Sequence, residues 1–413
     1  MRSRRSAARS GSSARPTSEP AKPVRAESGG GAASPAASVA IQRIGRSKAD
    51  LARFFDVADR IYAGDPNWVA PLRADLAKVF QDENPFFRHG EMQLFVAQRD
   101  GEDVGRIAAI LDKNHNSFHG EKAAFFGFFE SVDDPAVAGK LLDAAALWGR
   151  ERKMTVLRGP VNPTLNDEVG LLVDGYDSPA VLMMTYNPPS YARLIEGQGF
   201  RKAKDLLAFW FPLEEKPLER LSRVADRFRK RESQVVVRNV SKGGLTRDLP
   251  KIREVYNEAW EKNWGFVPMT PEEMDFMAKR LKPLLQEKLV WLAEAPRPDG
   301  TLEPIAFMLM LPDYNVAIAP TKGRLLPFGW LKFLLAQRRI KTVRVLALGI
   351  KRTHRMSGVQ SIMMADSLRF LLKLGYTGAE VSWLLEDNEL VIGAVRLWGG
   401  KLYKTYRIYE KPL

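Results

Sequence analysis

Hydrophobic and polar positions follow one plan twice along the chain, about 200 residues apart. Val39-Ala-Ile-Gln-Arg-Ile44 reads as a strand, and Asp50-Leu51 opens a helical pattern ending near Asn67-Trp68-Val69-Ala70-Pro71. Val235–Val240 repeats the strand, and Asp248-Leu249 opens a helical pattern ending at Gly265-Phe266-Val267-Pro268. Each copy then enters a further helix and a hairpin: Leu94–Gln98 and Gly105–Ile110 around Gly101, Val290–Glu294 and Pro304–Leu309 around Gly300. An apolar strand follows (Ala124–Phe129; Val343–Leu348), then a helix (Pro135–Arg152; about Val359–Leu374) and a next strand (Thr155–Leu157; Ala379–Trp383). Asn187 and Asn388 each open a helix at one offset of 201, ahead of Gly199 and Gly400, and terminal strands close the copies (Leu206–Phe211; Tyr403–Tyr409). The same elements in the same order predict a duplicated α/β unit with a mixed sheet.

The periodicity divides the chain into residues 39–213 and 234–413, joined by a charged helical connector over 214–233. Residues 1–38, rich in Ser, Ala, Gly, Pro and Arg, have too little apolar material to fold and predict a disordered basic tail. The first copy alone carries an insertion, roughly Asn162–Leu182, rich in Gly, Asn and Asp. No window reaches the roughly 18–20 consecutive apolar residues of a membrane span.

Composition narrows the chemistry. Of 413 residues none is Cys, which excludes disulfides, thiolate metal sites and a cysteine nucleophile and fits a reducing, cytoplasmic setting. The four histidines stand at 89, 115, 119 and 354. His115 and His119 have a helical metal-ligand spacing, but their Asn and Gly flanks predict a loop, and no metal is expected. The net charge of +14 suits an anionic partner such as a phosphorylated cofactor or an anionic membrane, and no specific nucleic acid is expected.

The strand Val343–Leu348 runs into Gly349-Ile-Lys-Arg-Thr-His-Arg-Met-Ser-Gly-Val-Gln360 and then a helix. A helix N-terminus presents unpaired N–H groups and a partial positive charge, so with Lys351, Arg352, His354 and Arg355 this turn suits a diphosphate. The element order resembles the GNAT acyltransferase fold over residues 39–413, as a tandem. Arg355-Met-Ser-Gly358 resembles the start of the family's acyl-CoA pyrophosphate motif, while Gln360 departs from its small last residue. The resemblance implies acyl-CoA binding by Leu348, Ile350, Arg352, Arg355, Met356, Ser357, Gly358, Val359, Gln360 and Asn388. In the first copy the equivalent turn reads Glu130-Ser-Val-Asp-Asp-Pro135, whose carboxylates repel a diphosphate. The second copy should therefore hold the CoA and the first should build the acceptor side.

Acyl transfer to an amine needs a base for one proton and donors for the developing oxyanion. Glu380, Glu386 and Tyr403 are the catalytic candidates, with helix capping the competing role for Glu386 and strand packing that for Tyr403. The tyrosine that many GNAT members carry seven residues after the helix-opening Asn is replaced by Val395. The polar loop holding Asn162, Asn166, Asp167 and Glu168 is the candidate acceptor site, together with Tyr186, Asn187 and Trp383; a self-satisfied surface loop is the alternative.

Arg324–Lys341 carries basic residues, no acid and a block of Leu, Phe and Trp, which fits a helix lying on an anionic membrane or, equally, one covering the core. Asp65-Pro-Asn-Trp-Val69, Asn84-Pro-Phe-Phe87, Gly159-Pro-Val-Asn-Pro163, Tyr186-Asn-Pro-Pro189 and Ser382-Trp-Leu-Leu-Glu-Asp-Asn388 are similar to phrases of a bacterial tandem-GNAT family of ceramide-synthase-type N-acyltransferases. That resemblance implies transfer of a long acyl chain from CoA to a lipid amine of sphingoid type. An acetyl-CoA-dependent enzyme acting on a small amine or peptide and an inactive ligand-binding module are the alternatives.

Overall fold

The computed structural model describes residues 38–241, 243–260 and 263–413. The tail expected over residues 1–38 lies, apart from Ser38, outside them. Residues Val39–Leu413 form one compact unit.

The first copy runs β1 (Ala40–Ile44), α1 (Lys48–Ile61), α2 (Arg73–Val79), β2 (Gly90–Arg99), β3 (Glu102–Asp112), α3 (Lys113–His119), β4 (Ala123–Ser131), α4 (Pro135–Glu151) and β5 (Val156–Gly159). Its insertion forms β6 (Val161–Asn162), β7 (Glu168–Val169) and β8 (Leu171–Asp174), ahead of α5 (Ser190–Glu196) and β9 (Arg201–Pro212). The connector is α6 (Glu215–Arg231). The second copy runs β10 (Val236–Asn239), α7 (Leu245–Trp260), α8 (Pro271–Leu281), β11 (Val290–Pro296), β12 (Leu302–Pro312), α9 (Asn315–Ile318), α10 (Gly329–Gln337), β13 (Thr342–Ile350), α11 (Val359–Lys373), β14 (Gly378–Leu385), α12 (Glu389–Leu397) and β15 (Lys401–Pro412).

Local chemistry sets the helix ends. The Ser47 hydroxyl accepts from the Asp50 N–H at 3.2 Å and opens α1, which buries Leu51, Phe54, Phe55 and Ala58 at helical spacing. Thr270 and Glu273 form a reciprocal capping box on α8, with Pro271 at its first position. Three expectations differ. Helix α7 starts at Leu245, and Asp248 is buried inside it against Arg238, 2.9 and 3.1 Å away. Helix α5 starts at Ser190, because Asn187 instead clamps the backbone of Leu172. The histidine segment is helical, not a loop: Asp112 caps the N–H groups of Asn114 and His115, and Gly120 closes the helix with φ 65°.

Among the described residues thirteen strands share one sheet. Each copy lays down five strands in chain order, antiparallel until a parallel last pair, β4–β5 or β13–β14. Then the copies exchange ends. Strand β15 adds to β5 of the first copy, β9 adds to β14 of the second, and β9 and β15 pair with each other at the centre. Cutting the chain between residues 213 and 234 separates the sequence repeats, yet in space each half borrows the other's last strand. The exchange leaves no sheet edge between the halves. Helices α4 and α5 cover one face of the first half and α1 and α2 the other; α6, α11 and α12 oppose α7 in the second.

His89 also spans the halves, with Nδ1 3.0 Å from Asp112 and Nε2 2.9 Å from Glu273 of α8. Burial opposes its charge, but hydrogen bonds to the two carboxylates outweigh it and raise the imidazole to about 9.

Candidate active site

The second half opens where its parallel strands part. Strands β13 and β14 pair from Thr342 and Gly378 to Val345 and Val381 and no farther. Beyond that point β13 stays on β12, while β14 is held by β9 through Leu384 and Leu385. A bulge adds to the divergence: Leu309 faces Ala347 and Met310 faces Val345, so Leu346 has no opposite residue and the strand bends. The gap leads into a cavity of about 330 Å³. Its walls at the gap are Leu346, Leu348, Ser382 and Trp383. Helices α7 and α8 roof it with Ile252, Tyr256, Trp260, Met274 and Met277, and the first half closes it with Leu165, Asn166 and Asp167. Such a mostly apolar lining with few polar groups suits an alkyl chain with one reacting end.

Asp167 is the carboxylate in that wall. It accepts from the Thr164 hydroxyl at 2.7 Å, and burial pushes its carboxyl up to about 6. Asn166 is turned by its amide, which donates to the Val267 carbonyl at 3.0 Å. Glu168 keeps exposed surface, while the protein around it and the charge of Asp167 push its carboxyl up. Burial also raises the Tyr256 hydroxyl, which therefore stays protonated.

A second polar group lies beneath the gap. Arg344, fully enclosed on β13, donates to the carbonyls of Leu182 and Met183 at 2.8 Å each and to the Ser382 hydroxyl at 3.1 Å. Ser382 donates to Glu380 at 3.0 Å, and the Tyr403 hydroxyl donates to the same carboxylate at 2.6 Å. Burial raises Glu380 against the pull of Arg344, and burial together with Glu380 raises Tyr403. Arg344 and Ser382 line the cavity, whereas Glu380 and Tyr403 lie behind them. The pair acts on the cavity through the groups it holds.

Other sequence candidates divide in the same way. Leu348, Asn388, Asn166, Asp167 and Trp383 line the cavity. Glu386 does not: it pairs with Lys202 at 2.5 Å and accepts the Asp205 N–H at 3.0 Å. The Tyr186 hydroxyl donates to Asp65 at 2.9 Å, and Asn187 accepts the Leu172 N–H at 2.7 Å, so both fasten loops of the first half. Asn162 accepts the Phe128 N–H at 2.7 Å and plugs the first half's own strand divergence. Val395 belongs to the core beneath α12.

The basic turn after Ile350 leads into the N-terminus of α11. Gly358 caps it with φ 81° and brings no side-chain acceptor. A Cβ there would stand 2.2 Å from the Phe228 ring of α6, so this glycine serves helix packing as well as the turn. Arg231 holds the turn from outside, donating to the carbonyls of Met356 and Ser357 at 2.8 Å. Arg355 donates to Ala259 at 2.6 Å, the Ser357 hydroxyl accepts the Val359 N–H at 3.2 Å, and Arg352 and Met356 are exposed. Gln360 is half-buried and its side-chain oxygen has no partner among the described residues.

The histidine pair is packed, not splayed. The rings of His115 and His119 stand 4.5 Å apart, His119 contacts the Phe266 carbonyl at 2.9 Å, and burial with its neighbour's charge pushes His115 down to about 4. Among the described residues no cluster of side chains is arranged to hold a metal. The residues that sequence reading missed are Arg344, Tyr256 and Trp260. One signal was available: a lone arginine in the apolar run Val343–Leu348 has to be paired if it is buried.

No protein-family model matches the chain. A bacterial ceramide synthase of Caulobacter vibrioides is 38% identical over 378 residues, which covers 89% of this chain and 96% of that protein. Protein YghO of Escherichia coli strain K12 is 33% identical over 374 residues, covering 89% and 94%. Among solved structures, a tandem GNAT protein from the clavulanic acid biosynthesis pathway superposes with a TM-score of 0.53 at 12% identity, covering 91% of this chain and 98% of that one. A GCN5-related N-acetyltransferase from Sphaerobacter thermophilus gives a TM-score of 0.50 at 13% identity, covering 91% and 95%. These two establish the fold expected from the repeat, a tandem of GNAT units, and the two sequence relatives establish the lineage: the chain belongs to the family that includes the bacterial ceramide synthase of Caulobacter vibrioides.

Proposed function

We propose that the protein moves a long acyl chain from CoA to the amine of a lipid-like acceptor of the sphingoid-base type. The observation that carries this reading is the apolar cavity at the β13–β14 divergence, with the Asp167 carboxylate from the other half in its wall. The diphosphate of CoA lies at the N-terminus of α11 with Arg352, Arg355 and the backbone from Met356 to Gln360. Its thioester enters between β13 and β14, and the acyl chain fills the cavity. An acetyl group would leave most of that apolar space without a partner.

The amine attacks the thioester carbon only when neutral, so one proton has to leave it. Asp167, with its carboxyl near 6, is ionised at neutral pH and takes that proton. The backbone N–H groups of β13 past Val345, no longer engaged by β14, face the developing oxyanion. The C–S bond breaks as the C–N bond forms, and CoA departs as the thiol once a proton reaches its sulfur. Glu380 and Tyr403 hold Ser382 and Arg344, which fix the wall beside the gap.

The test is calorimetric titration with acetyl-CoA and palmitoyl-CoA, followed by mass spectrometry of the product formed with sphinganine. Palmitoyl-CoA should bind about tenfold or more tightly than acetyl-CoA, since each buried methylene contributes about 0.8 kcal/mol. Ala347→Trp, which fills the cavity wall, should erase that difference. Equal affinity for the two thioesters in the unmodified protein, or no amide product, would reject the long-chain reading.

A further inference from the structure

Helix α10 and the turn before it break the usual rule for large apolar side chains. Leu325, Leu326, Phe328, Trp330, Leu331, Leu334 and Leu335 are all exposed, Leu326 by 80% and Phe328 by 71%. These are seven of the sixteen exposed large apolar residues among the described ones, within eleven positions; most of the rest are scattered singly, which needs no explanation. In α10 Ala336 is buried and Gly329, Phe333 and Gln337 partly so, so the helix covers the core along one narrow edge and leaves its Leu and Trp side chains bare.

The patch is held rigidly. The Phe333 ring stacks on Tyr314 at 6.1 Å and 6°. The Trp330 N–H donates to the Leu325 carbonyl at 2.7 Å, and the Arg73 N–H of the first half donates to Gly323 at 3.0 Å. Beneath it, Phe333 and Ile340 join a cluster with Met183, Met277, Leu285 and Leu346, and those four also line the acyl cavity. The floor of the patch is thus the back wall of the cavity.

Charge selects the occupant. Between Asp313 and Asp366 the chain has no acidic residue. Around the patch Lys322, Arg324, Lys332, Arg338, Arg339 and Lys341 are exposed, and among the described residues none has an ion-pair partner. A second copy docked here would bring these cations face to face, which is repulsive. A bilayer with anionic headgroups offers both counter-charge and hydrocarbon. Among the described residues no helix is long and apolar enough to cross a membrane, so contact would be from one side.

We infer that residues 322–341 form a membrane-docking platform, which seats α10 in the interface of an anionic bilayer with its floor against the acyl cavity. This goes beyond the acyl-transfer reading and depends on it only for what passes from the bilayer. The full chain and Phe328→Glu/Leu335→Glu are sedimented with vesicles of phosphatidylcholine, with and without about one third phosphatidylglycerol. Both substituted side chains are exposed, so the fold should be kept, and an unchanged melting temperature checks that. The unmodified chain should bind the anionic vesicles about tenfold or more tightly than the double variant. Raising the salt should weaken its binding, and palmitoyl-CoA titration without vesicles should be the same for both proteins. Arg338→Glu/Arg339→Glu should lose the preference for anionic lipid while keeping Phe328 and Leu335. Equal vesicle binding by the unmodified chain and the double variant overturns the inference, as does no binding by either. A dimer that the double variant dissolves, without vesicle binding, also overturns it and assigns the patch to self-association. A failure of the acyl-transfer reading would show instead as lost palmitoyl-CoA binding with vesicle binding intact.

Discussion

The two halves share a fold and differ at the same place in it. In the first, β4 and β5 pair as far as Phe125 and Arg158, and the chain then turns back into the divergence. Asn162 accepts the Phe128 N–H there, and the Val161 carbonyl lies so close to Gly127 that no side chain would fit. The helix that follows brings its own anion, because Asp134 accepts the Ala136 N–H at 2.7 Å. In the second half the corresponding pairing sets Arg344 opposite Glu380, the divergence opens into the cavity, and α11 is capped by a glycine with no acceptor. A duplicated scaffold thus keeps its sheet while a few residues decide which copy opens into a cavity. The closed copy still contributes, because the same insertion that plugs it carries Asp167 into its neighbour's cavity.

Asp167→Asn puts the largest strain on that division of labour. If the first half supplies the base, kcat should fall by about 10²–10⁴ while palmitoyl-CoA binding is kept. A carboxyl raised to about 6 is protonated below that pH. The unmodified enzyme should therefore lose kcat/KM about tenfold per unit below pH 6, and the variant should lack this limb. Full activity in the variant would return the chemistry to the second half alone. Arg344→Met comes next. It leaves the buried Glu380 without its counter-charge 3.9 Å away and the carbonyls of Leu182 and Met183 without their donor, and breaking such a pair costs about 3–5 kcal/mol. Urea unfolding measures this, and a loss under about 1 kcal/mol would mean that the network contributes little to joining the halves.

Much of this architecture is legible in the sequence because local rules act on it. The hairpins, the glycine before α11 and the repeat itself follow from periodicity and turn chemistry. The exchange of β9 and β15 does not, since both strands carry a pattern that either sheet edge would accept. The polar loop shows the same limit at finer scale. Asn162 and Asp167 are five residues apart and of similar chemistry, yet one faces inward to the first half's backbone and the other into the second half's cavity. Glu386 followed a sound rule, acid at a helix start, but Lys202 from β9 claims it, a neighbour that only the strand exchange supplies. The segment 324–341 was ambiguous because an apolar helix reads alike whether its face is covered or bare.

Asn162→Ala sharpens the comparison with the smallest effect. The substitution removes the acceptor of the Phe128 N–H inside the first half, which should cost about 1–3 kcal/mol if that donor is left unpaired. It does not move the Val161 carbonyl from Gly127, nor remove Asp133 and Asp134 from the start of α4. The plug is therefore redundant: hydrogen bond, backbone position and helix-end charge each oppose a diphosphate-bearing ligand. Calorimetry of the variant should still give one palmitoyl-CoA per chain, with the affinity of the unmodified protein. A second equivalent of bound thioester would mean that one hydrogen bond kept the first copy closed. A stoichiometry held at one would place the asymmetry in the backbone path of the insertion, which a single reversion cannot undo.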